Sequence, residues 1–323
     1  MTSLVTLCGK ELRDLSRNRS VRLLIIFLAV VVVLSVLVAA ADFRVKTADY
    51  NSYLAALKAS GGSVSAPPPE LFPLQMLRAG MEYLEIVGSL FAVILGYGLI
   101  AKEKNSGTLQ LLFTRPLGRH SFAAGKILAA LFIWTAVTMT LFAVISATLL
   151  IVGNAPLTGT DIIRLIIAAA HTTIYLTMWS LLALALAALT RAPAAGLILT
   201  LILWLVVVLI IPQIGDTMDP DNQIPGGLFA SLQIDKAHEH AVMANFTGYE
   251  TARDLVEQTS LTKQYERPLF AWLGIKNQYN QQTPGFVWTG TFNHTLWLLA
   301  GFAAAVGAAF LSATRDKLLR KIS

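Results

Sequence analysis

Few side chains in this sequence have the type and setting for chemistry inside an apolar environment. His171 stands within the run 165–190, where an ionisable group is a candidate proton relay, substrate contact or metal ligand. Thr172, Thr173 and Tyr175 beside it supply the competing and weightier reading, a neutral imidazole bonded across a helix interface. Glu82 and Glu85 lie one turn apart ahead of another apolar run. They would line a cation-attracting entrance or, the stronger reading, form a polar flank whose carboxylates reach to water. His238-Glu239-His240 offers metal-ligand types, but positions i and i+2 point to different faces of a helix, and His294 is remote in sequence. No metal site is expected. The segment 118–126, GRHSFAAGK, resembles a phosphate loop only superficially, because His120 occupies the place of the first glycine and Ile127 follows Lys126. No catalytic residue, cofactor site or ATPase of the chain's own is expected.

The elements that position these residues follow from composition. Charged residues make up 14% and apolar residues 55% of the 323, with a mean hydropathy of +0.63. A soluble domain carries roughly a quarter charged residues, so the missing polar surface implies lipid contact. A membrane core needs about 20 apolar residues in helix. The stretches 23–41, 86–101, 127–152, 165–190, 192–214 and 292–314 meet or approach that length, 86–101 being short enough to need Tyr83 and Leu84 as well. The first lacks a small-residue cleavage pattern and reads as a retained helix. Cys8 is the only cysteine, which excludes an internal disulfide framework or cysteine metal cluster.

Charge orients the spans. With six of them, residues 1–22, 102–126, Arg191 and 315–323 share one side and sum to +11, while the opposite side sums to −5. Lysine and arginine collect on cytoplasmic loops, which places both termini in the cytoplasm of a bacterial-type inner membrane. The same distribution removes a nucleic-acid reading of the pI near 9.5. The opposite side carries two large segments, 42–85 and 215–291. The first opens with an amphipathic helix over 42–58 that extends the first span. The second has helical patterns at 235–246 and 249–265. Together they predict a small extracytoplasmic cap.

Residues 1–22 place Leu4, Val5, Cys8, Leu12 and Leu15 at helical spacing, with Lys10, Arg13, Asp14 and Arg17 mostly elsewhere on the wheel. Such a helix lies in the membrane interface, apolar face in the acyl boundary and cations near lipid phosphates. The loop 102–126 is too elaborate for a passive turn. Asn105-Ser106-Gly107 breaks the helix, Thr108 begins a short one with Leu109, Leu112 and Phe113 as an apolar knob, and Arg115, Pro116, Gly118 and Arg119 close it. A knob on the cytoplasmic face suits a groove on a soluble partner.

At these residues the chain resembles the permeases of ABC-2 type ABC transporters. KELRDLSRNR matches their N-terminal elbow helix, and Glu103, Gly107, Thr108, Leu109, Leu112, Pro116 and Arg119 match, position by position, the stretch that forms their coupling helix. The six-span layout extends the similarity over most of the chain, while the enlarged outer loops depart from the simplest members. The resemblance implies an all-α polytopic membrane subunit, in two copies as a homodimer, seated on two copies of a separate ABC ATPase that holds ATP and magnesium. It implies export, driven by movement of the coupling helices, with a further extracytoplasmic protein as a candidate partner of the cap. An ion-gradient-driven carrier or channel would instead use His171, Glu82 and Glu85, yet the other spans lack the paired charges such carriers bury near the midplane. An intramembrane enzyme would need a nucleophile or metal set that His171 alone does not supply.

Overall fold

The structure is a computed structural model that describes residues 2–59, 72–109, 120–218, 231–232, 238, 247–280, 282–314 and 318. Among these every regular element is helical. Among the described residues six helices are long and apolar enough to cross a membrane. Helix α1 (Thr2–Arg17) precedes the first of them, α2 (Arg19–Ala59). The break between the two is set by Asn18, whose Oδ1 accepts from the Ser20 N–H at 3.0 Å and so satisfies an N-terminal amide of α2.

The second span, α3 (Pro73–Asn105), is 33 residues long and begins well before the apolar run 86–101. It changes pitch on the way: a 3₁₀ turn (Pro73–Leu77), a short α segment, a π turn (Leu84–Gly88), then regular α-helix. Pro73 suits a first helical position because its missing N–H would be unpaired there anyway. Helices α4 (Ser121–Ile151) and α5 (Gly159–Leu189) follow. A capping box opens α5, with Thr158 Oγ1 accepting from the Asp161 N–H while Asp161 accepts from the Thr158 N–H. The fifth span, α6 (Pro193–Gly215), also widens to a π turn at Leu205–Ile210. Trp204 Nε1 donates to Ser89 Oγ at 2.8 Å, tying the two widened helices together.

Two further helices, α7 (Thr247–Thr259) and α8 (Leu261–Trp272), precede the last span, α9 (Pro284–Ser312). The single helix expected over 249–265 is thus two. Ser260 leaves helical geometry, its Oγ accepting from the Lys263 N–H and donating to the Val207 carbonyl at 2.9 Å, so the cap starts a new helix and fastens it to α6. The pattern at 235–246 lies outside the described residues apart from the exposed His238.

Helix α5 is the axis of the bundle: 78% of its most apolar window is buried, against 22% for α2 and α6. Lipid tails are as apolar as leucine, so helices in a membrane associate through close packing and interhelical hydrogen bonds. Both are present. A Cβ on Gly96 of α3 would lie 1.9 Å from the Ser180 carbonyl oxygen of α5, and one on Gly196 of α6 would lie 2.4 Å from Ala187 Cα. Ser180 Oγ donates to the Ala92 carbonyl and accepts from Trp134 Nε1, each at 2.8 Å, which links α3, α4 and α5 through one hydroxyl. Helix α8 is wedged into the bundle as well. Tyr265 stacks on Tyr175 with centroids 4.1 Å apart, and its hydroxyl lies 3.0 Å from Thr172 Oγ1.

Candidate functional site

The sequence Lys102-Glu103-Lys104 ends α3, and each of the three side chains grips a different part of the molecule. Lys102 pairs with Asp14 of α1 at 3.1 Å on the surface. Lys104 turns toward the end of α5, donating to the carbonyls of Ala187 at 3.0 Å, Ala188 at 3.3 Å and Thr190. Those carbonyls belong to the last turn and C-cap of α5, beyond its backbone ladder, and that of Ala187 also accepts from Thr190 Oγ1 at 3.4 Å. A cation there satisfies them and complements the negative end of the helix dipole.

Glu103 points inward. Its Oε2 lies 2.6 Å from Nζ of Lys126 on α4, and its Oε1 lies 3.2 Å from Nζ of Lys10 on α1. Glu11 completes the cluster, 3.2 Å from Lys126 and 3.4 Å from Lys10. Lys126 is fully buried and also donates to the Leu99 carbonyl of α3. Two carboxylates and two ammonium groups therefore balance in charge where α1, α3 and α4 meet. Burial alone would lower the pKa of Lys10, but Glu103 and then Glu11 outweigh it and hold the ammonium above its ordinary value. Nearby, burial and then the Glu11 charge push the Cys8 thiol above its ordinary pKa, which disfavours the thiolate.

Beyond the cluster the helix stops. Gly107 has φ +67°, a left-handed conformation that favours glycine. Ser106 Oγ donates back to the Lys102 carbonyl at 2.7 Å and lies 2.8 Å from Thr108 Oγ1, so the turn is defined by side chains as well as backbone. Leu109 is fully buried within the chain. It belongs to the chain's buried apolar core. Leu112, Phe113, Arg115, Pro116 and Arg119 lie outside the described residues.

The other candidates do not gather. Glu82 pairs with Arg78 at 3.0 Å on the surface, whereas Glu85 enters the π turn and is buried. A π turn adds a residue per turn and rotates the positions after it, so the two carboxylates face different surroundings and do not line one entrance. His171 is held at both ring nitrogens, Nδ1 2.9 Å from the Ile167 carbonyl and Nε2 3.2 Å from Thr295 Oγ1 on α9. His294, on the same helix as Thr295, lies 2.8 Å through Nδ1 from Gln264 Oε1 of α8.

Sequence reasoning singled out Glu103 but missed Glu11, Lys104 and Lys126. Glu11 did leave a signal. It falls three residues after Cys8 and four before Leu15, on the apolar stripe of α1, where a carboxylate needs a partner. Lys126 stood out only as the lysine of the rejected phosphate-loop likeness and as one of the charges of 102–126.

Residues 5–316 match the family described as ABC-2 family transporter protein. No curated protein matches the chain. With a six-span helical bundle, and with nearly its whole length matched, the chain belongs to the ABC-2 family of transporter proteins.

Proposed function

We propose that this membrane-spanning permease subunit is driven through residues 102–119 by a separate ABC ATPase, and that the Glu103–Lys126 cluster transmits the movement to the bundle. The observation that carries this reading is the fixing of three consecutive residues, Lys102, Glu103 and Lys104, to α1, α4 and α5. A push on the segment after Gly107 then moves α1, α3, α4 and the end of α5 together. Packed helices answer such a push by switching between discrete arrangements. ATP and magnesium sit on the ATPase, and this chain contributes no catalytic group. Two permease copies related by a two-fold axis, each seated on one ATPase, would form the export path.

Leu112 and Phe113 supply the apolar contact with the ATPase, and Arg115 and Arg119 flank it, with Pro116 ending the segment. In cells expressing the permease with its ATPase, the tagged wild type should bring the ATPase down. Leu112→Asp with Phe113→Asp should lower recovery at least about tenfold, the loss of one central hot spot, with permease yield unchanged. Equal recovery from wild type and variant would end the reading, as would a wild type that brings down no ATPase.

Orientation has its own test. Both termini and residues 102–126 are assigned to the cytosol by their positive charge. In a Cys8→Ser background, a cysteine at the exposed Lys46 position should react with a membrane-impermeant maleimide in intact cells. One at the exposed Ser106 position should react only after permeabilisation. The reverse pattern would invert the assignment.

A further inference from the structure

Beside the buried cluster, between α1 and the end of α3, a cavity of about 620 Å³ opens at the end of the bundle that carries the basic residues. Its lining combines two chemistries: aliphatic Leu15, Val21 and Leu99, and the cations Lys10, Arg17 and Lys102. The carboxylates that share the lining are engaged: Glu11 and Glu103 with Lys10 and Lys126, and Asp14 with Lys102. Arg17 forms no ion pair among the described residues. With fully buried Lys126 behind the wall, four cations face three carboxylates. Lys102 keeps most of its side chain in the open, 72% exposed, so its ammonium has donors to spare.

Gly98 is the second observation. It lies on the cavity wall toward the C-terminal end of α3, exposed, and a Cβ built there would meet nothing within 4 Å. Gly96, two residues earlier on the same helix, is bare because α5 touches it. No such packing accounts for Gly98. An open stretch of helix at Gly98, one turn before Lys102 where the span passes from apolar to charged residues, suits a lipid, with an acyl chain on the apolar stretch and an anionic head at the cations.

We infer that this cavity binds the phosphate headgroup of an anionic phospholipid of the cytosolic leaflet, with Arg17 and Lys102 on the phosphate and the upper acyl chain laid over Gly98. The site goes beyond the coupling role and does not depend on it, so it is tested on the purified permease without ATPase. Detergent-solubilised protein is titrated with dioctanoyl phosphatidylglycerol, dioctanoyl phosphatidylcholine or inorganic phosphate, and bound lipid is read by native mass spectrometry. Phosphatidylglycerol should bind about tenfold more than phosphatidylcholine at equal concentration, because its headgroup keeps the net negative charge that the choline ammonium cancels beside Arg17 and Lys102. Salt should weaken that preference. Phosphate alone should not compete at the same concentration. Gly98→Leu, which adds a side chain on the cavity wall where a Cβ meets nothing within 4 Å, should abolish the preference while the protein stays monodisperse, and Arg17→Gln should reduce it. Equal binding of the two lipids, or an unchanged preference in Gly98→Leu, would overturn the inference. So would full competition by phosphate, which would make this a site for a free anion. If Gly98→Leu spared lipid binding and instead blocked recovery of the ATPase, the cavity would belong to the protein partner.

Discussion

Lys126→Met should be among the most damaging single substitutions in this chain. It leaves Glu103 and Glu11 buried with only the half-exposed Lys10 between them. Removing one partner of a buried pair typically costs about 3–5 kcal/mol, because the remaining charge has neither water nor a counter-ion. That is comparable to the whole stability of a marginal domain. The expected result is a large loss of monodisperse protein after solubilisation, and a lowered unfolding temperature in whatever remains. Replacing the whole set with apolar groups (Lys126→Met, Glu103→Leu and Glu11→Leu) should recover most of the folded yield, since a buried ionic cluster is often no more stable than a packed apolar one. The triple variant then separates architecture from transmission. If the cluster carries movement from the ATPase, the triple variant should fold and bind ATPase but couple poorly to it. A triple variant as unstable as the single one would show that the damage comes from lost packing and not from unbalanced charge.

The sequence made the bundle legible because two independent physical signals agreed: apolar runs of membrane length and a one-sided distribution of lysine and arginine. The same signals fail where a helix is polar. Residues 73–85 continue α3 without a break, yet Arg78, Glu82 and Glu85 hide that turn of helix from any count of apolar residues. Between 249 and 265 the pattern is helical throughout, and nothing local says that Ser260 will turn its hydroxyl to Val207 of a distant span. Glu103 was legible as part of a motif, but its partners were not, because a motif states which residue types recur and not where α1 and α4 will bring Glu11 and Lys126. Leu109 marks another limit. An apolar residue after a helix break must be covered by something, and residue type does not say whether the cover is a partner or the chain's own core.

Gly96→Ala should damage the bundle far more than its single added carbon suggests. The new Cβ would sit 1.9 Å from the Ser180 carbonyl oxygen, well inside contact distance, and the obstacle is backbone, which has no rotamer to change. Helices α3 and α5 would have to separate by more than an ångström. That movement stretches the hydrogen bond from Ser180 to the Ala92 carbonyl and disturbs the one from Trp134. Overpacking a tight interior ordinarily costs about 1–3 kcal/mol, and a backbone contact at the axis of the bundle belongs at or above the upper end. Gly98→Ala supplies the control on the same helix, two residues away. Nothing lies within 4 Å of its added carbon, and alanine favours helix over glycine by roughly 0.8–1 kcal/mol, so it should leave the unfolding temperature unchanged or raise it. Gly196→Ala should side with Gly96→Ala, because its Cβ would meet Ala187 of α5 at 2.4 Å. The three are compared by unfolding temperature in detergent. Equal behaviour of Gly96→Ala and Gly98→Ala would mean that α3 does not pack on α5 at this distance, and with it would go the rigid axis from which Lys104 takes its hold.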